Sequence, residues 1–230
     1  MYYGYGYSPY LIYILPGLIL AMIAQAKINS AYSKNSRISS GTNLTGADAA
    51  RLIMDKNSLN DVRIIPINGK LTDHYNPANK TLNLSHDVYY GDSIASLSIA
   101  AHEVGHAIQD QTEYTPLKIR AALVPAANIG SNLSMIFIVM GMIFSNFFVQ
   151  VGIALFSIAV LFQIVTLPVE FDASRRAANE LRDGIMPAEK LKGTKEVLSA
   201  AALTYVASTI MAIGQLLRLL AIFGNSKKRD

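Results

Sequence analysis

Residues His102, Glu103 and His106 form the pattern H-E-x-x-H, whose residue types and spacing suit metal-assisted hydrolysis. On an α-helix, positions i and i+4 share one face, so both imidazoles can bind a single zinc ion. Glu103 then lies beside the metal, where its carboxylate can take a proton from a water that zinc activates. The spacing therefore predicts a zinc site with Glu103 as the catalytic general base.

Chance is a poor explanation for this pattern, because the chain has four histidines and two of them fall within it. The alternative interpretation is a helix in which these polar side chains are satisfied by ordinary hydrogen bonds. The surrounding residues are rich in alanine and isoleucine, however, and polar groups there cost free energy unless they are paired or bind a ligand. The chain has no cysteine, so a metal must be bound through His, Asp or Glu. Zn²⁺ is the expected cofactor.

A catalytic zinc ion needs a third protein ligand and leaves one position open for water. The candidates elsewhere in the chain are His74, His86, Glu113, Glu170, Glu180, Glu189 and Glu196. Glu170 is favoured, because it follows a long apolar stretch and is expected to emerge on the side where the helix with both histidines lies. It could instead merely mark the end of that stretch, and His74 is its main rival as the third ligand.

Other side chains could support the metal ligands or contact the substrate. A ligating histidine usually donates its second ring N–H to a carboxylate or a carbonyl. The candidates for supporting or substrate contacts are His74, Asp73, Asp172, Ser174 and Arg175. Arg175 or its neighbour Arg176 could stabilise the oxyanion of a tetrahedral intermediate. Adjacent arginines beside an apolar segment also commonly bind lipid headgroups, so this role stays an alternative.

The elements around the pattern can be predicted from local signals. Thr45 followed by Asp48 resembles a helix N-cap. We expect a helix over 47–56, strands over 62–67 and 81–84, and a helix over about 93–109. The segment 71–77 joins the two strands, either as a plain turn or as a loop that contributes to the site. An extended substrate is expected to pair with the edge of one strand.

Composition places these elements in a membrane protein. Hydrophobic residues make up 51% of the chain and charged residues 16%, whereas soluble domains carry about a quarter charged residues. Long apolar segments lie at 10–26, at 133–167 and at 197–217. The second is too long for one span and predicts a hairpin of two helices. The first helix of this hairpin is expected to begin before the segment, near residue 121. The prediction is a mainly α membrane protein with three to four transmembrane helices and a small α+β zincin-like cytoplasmic domain. The net charge is +4, and the basic residues are not arranged in the pattern typical of nucleic-acid binding.

Charge around the first apolar segment predicts the orientation of the chain. Lys27, Lys34 and Arg37 follow it and no basic residue precedes it, which favours an external N-terminus and a cytoplasmic domain. Ala24-Gln25-Ala26 resembles a signal-peptide cleavage site, so removal of this segment stays an alternative. Four full spans would place the basic end 227–229 outside, against the tendency of basic residues to lie on the cytoplasmic side. Whether the last segment, 197–217, crosses the membrane fully is therefore left open.

Five segments are expected on these grounds. They are an N-terminal transmembrane anchor over 1–28, a cytoplasmic zincin-like domain over 29–118, a transmembrane hairpin over 119–168, a third-ligand helix and membrane-edge segment over 169–196, and a C-terminal membrane helix with a basic tail over 197–230.

Four strings in the chain resemble the YugP-like membrane zinc metallopeptidases. They are LTDHYNP at 71–77, AAHEVGHAIQ at 100–109, LPVEFDASRRA at 167–177 and VLSAAALTYV at 197–206. This resemblance spans almost the whole chain after the first apolar segment. It implies zinc peptidase activity in a bacterial cytoplasmic membrane.

A more distant resemblance is to the HtpX and CAAX prenyl protease group. There, a Glu that begins an E-aromatic-x-A-D string is the third zinc ligand, as in gluzincins. The string from Glu170 to Ala173 matches it, so this resemblance implies that Glu170 is a ligand. Ser174 stands where the string has Asp, so the contact of that Asp is not implied for this chain.

The expected function is an endopeptidase that acts at the cytoplasmic face of the membrane, in the quality control of membrane proteins. Its substrate is a peptide or a membrane protein, and its other partner is the lipid bilayer. One rival is an intramembrane protease of the site-2 type, whose zinc lies within the bilayer. Another is a non-catalytic zinc-binding scaffold or chaperone, which Glu103 argues against because a structural zinc needs no general base.

Overall fold

The computed structural model describes residues 9–224, which are mostly helical and include one three-stranded sheet. The helices are α1 (Leu15–Asn35), α2 (Gly46–Lys56), α3 (His86–Tyr89), α4 (Ile94–Gln111), α5 (Thr115–Ile143), α6 (Asn146–Arg182) and α7 (Leu191–Phe223). The strands are β1 (Arg63–Ile67), β2 (His74–Asn76) and β3 (Thr81–Ser85). Short 3₁₀ helices lie at Pro9–Tyr13 and Ala188–Lys190.

The chain divides into two compact units. One, which we call the mixed unit, consists of Ala24–Lys118 and Leu167–Thr204 and contains the sheet. The other, the helical unit, consists of Ile119–Thr166 with the described parts of Met1–Ile23 and Tyr205–Asp230.

The start of α2 confirms the predicted N-cap. The Thr45 hydroxyl accepts a hydrogen bond from the Asp48 N–H at 3.1 Å, and the Asp48 carboxylate accepts one from the Thr45 N–H at 2.9 Å. This reciprocal pair satisfies two amides that the first turn of a helix leaves without partners. It holds α2 in a register that buries Ala49 and Ile53 in the core of the mixed unit.

The core of the mixed unit is aliphatic and lies between α2, β3, α4 and the last part of α6. Its largest fully buried side chains include Ile53, Met54, Leu82, Leu84, Leu97, Val104 and Leu181. Burying a side chain of this size contributes about 2 kcal/mol to folding. Because α4 is buried along most of its length, its polar residues must be satisfied by specific partners.

The sheet has the order β1-β3-β2, with β3 parallel to β1 and antiparallel to β2. The two strands predicted from sequence are present as β1 and β3. The third strand, β2, lies within the segment 71–77, where a plain turn or a loop was expected. Its three polar residues are too few to show the alternation that predicts a strand, and the pairing with β3 defines it instead. β2 is one edge of this sheet.

Within residues 9–224, three helical stretches are long and apolar enough to cross a membrane by length and composition: Thr115–Ile143, Asn146–Arg182 and Ala188–Phe223, the last of which joins the second 3₁₀ helix to α7. The break between the first two lies at residues 144–145, within the apolar segment 133–167 for which a hairpin was predicted. Within the helical unit, α5 and α6 approach closely at glycines: a Cβ on Gly130 would lie 2.5 Å from the Leu155 carbonyl oxygen. Small residues at such contacts are typical of packed membrane helices.

Two boundaries differ from the sequence-based expectation. Helix α5 begins at Thr115 rather than near residue 121. The third-ligand helix, expected as a separate element within 169–196, is instead the last part of α6, which continues through Pro168 without a break. Proline removes one backbone donor, but the residues that follow it pack into the mixed unit, and this packing outweighs the local signal.

The two ends of the chain leave some predictions untested. The expected anchor over 1–28 overlaps α1, which is not among the three helices named above, and residues 1–8 lie outside the described part of the chain. The basic end 227–229 also lies outside it. The anchor, its cleavage and the orientation of the last segment therefore stay predictions.

Candidate metal centre

Helix α4 carries both histidines of the pattern, and a glycine between them allows close contact with α6. A Cβ placed on Gly105 would lie 2.6 Å from the carbonyl oxygen of Ala173, closer than real Cβ atoms approach backbone. Only a residue without a side chain lets the two backbones meet at this distance. The contact brings the segment of α6 after Pro168 alongside the histidine face of α4.

His102, His106 and Glu170 converge at this contact. The Glu170 Oε2 atom lies 3.3 Å from His102 Nε2 and 3.6 Å from His106 Nε2. One ligand atom from each of the three residues lies within 4.8 Å of the others, a spacing that can hold a metal ion. Within the part of the chain that the structure describes, this is the group of His, Asp and Glu side chains with such spacing.

The other ring nitrogen of each histidine is held by a neutral polar group. His102 Nδ1 lies 3.2 Å from the Ser174 hydroxyl, and His106 Nδ1 lies 3.0 Å from Gln109 Oε1. Both Nε2 atoms are thereby directed to the carboxylate of Glu170. Ser174 occupies the position of the Asp in the related string, and its hydroxyl contacts the His102 ring where a carboxylate or carbonyl is the usual partner.

Gln109 determines the protonation of His106. Its side-chain Nε2 donates to the Val169 carbonyl at 2.8 Å and to the Asp172 carboxylate at 3.0 Å, so its Oε1 is the atom that faces the ring. An amide oxygen can only accept, and therefore His106 Nδ1 must carry the proton. In the neutral imidazole the lone pair then lies on Nε2, where a zinc ion needs it. The donor set of two imidazoles and one carboxylate fits zinc.

Asp172 supports this arrangement indirectly. Its carboxylate accepts from Gln109, from the Arg176 Nε at 2.6 Å and from the Arg175 guanidinium. Arg175, considered above for the oxyanion, is thus bound to Asp172 while its side chain is largely exposed. Asp172 therefore contacts Gln109, which holds His106, and it has no direct contact with either histidine among the bonds described.

Glu103 is buried and is reached from the edge strand of the sheet. Its Oε2 accepts a hydrogen bond from the Tyr75 N–H at 3.2 Å. The Tyr75 hydroxyl donates to Asp110 at 2.8 Å. Burial raises the pKa of this phenol, and the hydrogen bond to Asp110 raises it further, so the hydroxyl stays protonated and remains a donor.

Asp73 and His74, which precede Tyr75, do not join the metal group. The Asp73 carboxylate accepts from the N–H and the hydroxyl of Ser85 at 2.7 and 3.0 Å, which ties the start of β2 to the end of β3. Burial raises the pKa of this carboxyl, while the bonds from Ser85 act in the opposite direction. His74 is exposed, and its Nδ1 lies 2.9 Å from the Thr72 carbonyl oxygen.

The remaining candidates for the third ligand also lie outside the group. Glu180 binds Lys56, Glu196 binds Lys34, and Glu113 binds Lys118. His86 and Glu189 are exposed. The residues that sequence reasoning did not single out are Gln109 and Tyr75. Gln109 could have been found, since position i+3 from His106 shares its helix face. Tyr75 could not, since its contact depends on β2.

Comparison with known proteins agrees with this geometry. A family described as "putative neutral zinc metallopeptidase" matches residues 10–224. The chain is 42% identical over 218 residues to the "Putative membrane protease YugP" of Bacillus subtilis (strain 168), which covers 94% of this chain and 97% of that protein. No solved structure matches the chain.

Proposed function

Because this chain belongs to the family of neutral zinc metallopeptidases, we propose that it is a membrane-bound peptidase with Glu103 as its general base. His102, His106 and Glu170 are its zinc ligands in this proposal, a gluzincin-like set. The observation that carries it is the convergence of one donor atom from each of these three residues within 4.8 Å, on the helix that also bears Glu103.

Zinc held at this site supplies a Lewis acid that activates water for attack on a peptide carbonyl. Glu103 takes the proton of the attacking water and transfers it to the nitrogen of the leaving amine. One of its oxygens, Oε2, is fixed by the Tyr75 N–H, so Oε1 is the oxygen proposed to accept the proton. Ser174 and Gln109 keep the two imidazoles in the ligating orientation.

The edge strand β2 is the proposed binding site for the substrate main chain. The N–H and C=O of one residue point to the same side of an antiparallel strand. Since the Tyr75 N–H points away from β3 to Glu103, its C=O also faces away from β3. This carbonyl can accept a hydrogen bond from an extended peptide, which then lies beside the general base.

We further propose that the mixed unit faces the cytoplasm of a bacterium and that its substrates are peptides or unfolded membrane proteins. Lys27, Lys34 and Arg37 support this orientation, since they follow the first apolar segment. The intramembrane alternative is disfavoured, because α4 is not among the three helices with the length and composition of a span.

The test is peptide hydrolysis by the full-length protein in detergent or nanodiscs. Glu103→Gln should lower kcat by about a hundredfold or more while bound zinc stays at the wild-type level, because Glu103 is not a ligand. Glu189→Gln, at an exposed carboxylate outside the site, should retain activity and serves as the control. Full activity in Glu103→Gln would refute the role of Glu103 as general base, whereas a wild-type protein that binds zinc and hydrolyses no peptide would favour a non-catalytic zinc protein.

A further inference from the structure

Tyr75 contacts α4 at two points with two different groups. Its backbone N–H donates to the Glu103 carboxylate and its hydroxyl donates to the Asp110 carboxylate. Glu103 and Asp110 are seven positions apart, so they lie on the same face of α4, two turns from each other. At 1.5 Å per residue this is about 10 Å along the helix, a distance that the length of one tyrosine can bridge.

Asp110 is itself held in place from the sheet. Its Oδ2 lies 2.8 Å from the ammonium group of Lys80 as well as 2.8 Å from the Tyr75 hydroxyl. Lys80 precedes β3 and has a positive φ of 52°, so it belongs to the tight turn that joins β2 to β3. The last turn of α4 thus binds both β2 and the following turn through one carboxylate.

The contacts of Tyr75 with Glu103 and Asp110 bear on catalysis because a general base must be held in a fixed orientation. The Glu103 side chain has three rotatable bonds, and the backbone N–H that orients it belongs to an edge strand of three residues. Such a strand is weakly fixed by its own ladder. The contact between Tyr75 and Asp110 fixes the position of the strand, and hence of its N–H, relative to the helix that carries Glu103.

We propose that Tyr75 is a positioning residue for catalysis: its hydroxyl, bound to Asp110, holds the β2 backbone where the Tyr75 N–H orients the Glu103 carboxylate. This inference rests on the proposed role of Glu103 as the general base. The alternative is that Tyr75, Asp110 and Lys80 only stabilise the fold of the mixed unit. The positioning role predicts that loss of the Tyr75 hydroxyl lowers kcat through Glu103, whereas the purely structural role predicts a loss of kcat that does not depend on Glu103.

The experiment is a double-mutant cycle in the full-length zinc-loaded protein. Tyr75→Phe removes one oxygen and keeps the ring. It should lower kcat by about tenfold, the usual size for a lost hydrogen bond of this kind, with zinc affinity and thermal midpoint close to wild type. In the Glu103→Gln background the same change should lower the residual kcat by less than twofold. Asp110→Ala should reproduce this pattern, and Tyr90→Phe, at an exposed tyrosine, is the control.

A second measurement does not depend on activity. Hydrogen exchange of the backbone amide at position 75 should be faster in Tyr75→Phe and in Asp110→Ala than in the wild type, because β2 is no longer fixed against Glu103. Unchanged hydrogen exchange together with unchanged kcat would overturn the role of Tyr75 and leave the proposed role of Glu103 intact. An equal loss of kcat in both backgrounds would also overturn it. Full activity in Glu103→Gln would overturn the proposed role of Glu103 as general base, and the role of Tyr75 with it.

Discussion

Gly105 of α4 lies directly against the backbone of Ala173 in α6, and a Cβ on Gly105 would come within 2.6 Å of the Ala173 carbonyl oxygen. The glycine stands between the two histidines of the H-E-x-x-H pattern, and Ala173 lies between Glu170 and Ser174. The separation of the two helices at this point therefore sets the distance between the histidines and Glu170.

We predict that Gly105→Ala weakens zinc binding by at least tenfold and lowers the free energy of unfolding by about 1–3 kcal/mol, the usual cost of overpacking. The added methyl group has to push α6 away, and Glu170 moves with it. Isothermal titration with zinc and thermal denaturation check this. Gly224→Ala, where a Cβ meets nothing within 4 Å, is the control. Wild-type zinc affinity in Gly105→Ala would contradict the prediction.

We predict that Glu170→Gln reduces zinc affinity by about a hundredfold or more, because a neutral amide is a much weaker zinc ligand than a carboxylate. Metal content after dialysis against a weak chelator measures the effect. Glu113→Gln, whose side chain is 76% exposed, should keep its zinc. If His74→Ala lost zinc and Glu170→Gln did not, His74 would replace Glu170 as the third ligand.

Gln109→Glu should destabilise the protein by about 2–4 kcal/mol, although a carboxylate is a good partner for a histidine ring. Gln109 is fully buried and donates to the Val169 carbonyl and to Asp172. A glutamate loses both donors and places two carboxylates together, and each unsatisfied buried group costs about 1–3 kcal/mol. Denaturant unfolding at pH 7 checks this. Stability equal to that of the wild type would show that Gln109 does not bridge α4 and α6.

We predict that a cysteine at Asn60, an exposed position, is protected from an impermeant thiol reagent in intact cells and reacts after lysis. The natural chain has no cysteine, so each introduced thiol is unique. Ser145→Cys, between α5 and α6, should react in intact cells, because the hairpin turns on the opposite side in the proposed topology. Labelling of the cysteine at position 60 in intact cells would invert that topology.

Local signals predicted the parts of this protein that local physics determines. The spacing of His102 and His106 and the cap formed by Thr45 and Asp48 depend on residues within one or two helical turns. Both features appear in α4 and α2 as expected. The hairpin between α5 and α6 was predictable for a similar reason, since the apolar run is too long for one span.

The remaining features depend on contacts between distant segments. β2 owes its existence to pairing with β3 and carries no alternation of its own. The continuity of α6 through Pro168 depends on packing into the mixed unit. The contact between Tyr75 and Glu103 requires both β2 and α4 to be in place. Glu170 was favoured before these contacts were known because it follows the long apolar stretch, and the resemblance of its string to that of a known family implied the same role.

The order of the metal donors along the chain has a consequence for biosynthesis. His102 and His106 precede α5 and the apolar part of α6, whereas Glu170 follows them. A ribosome therefore completes both histidines and Glu103 well before it reaches Glu170, the third donor. A nascent or prematurely terminated chain holds two donors and cannot form the three-ligand site. In the proposed peptidase, hydrolysis thus becomes possible only after α5 and the apolar part of α6 have been translated, which keeps shorter chains inert.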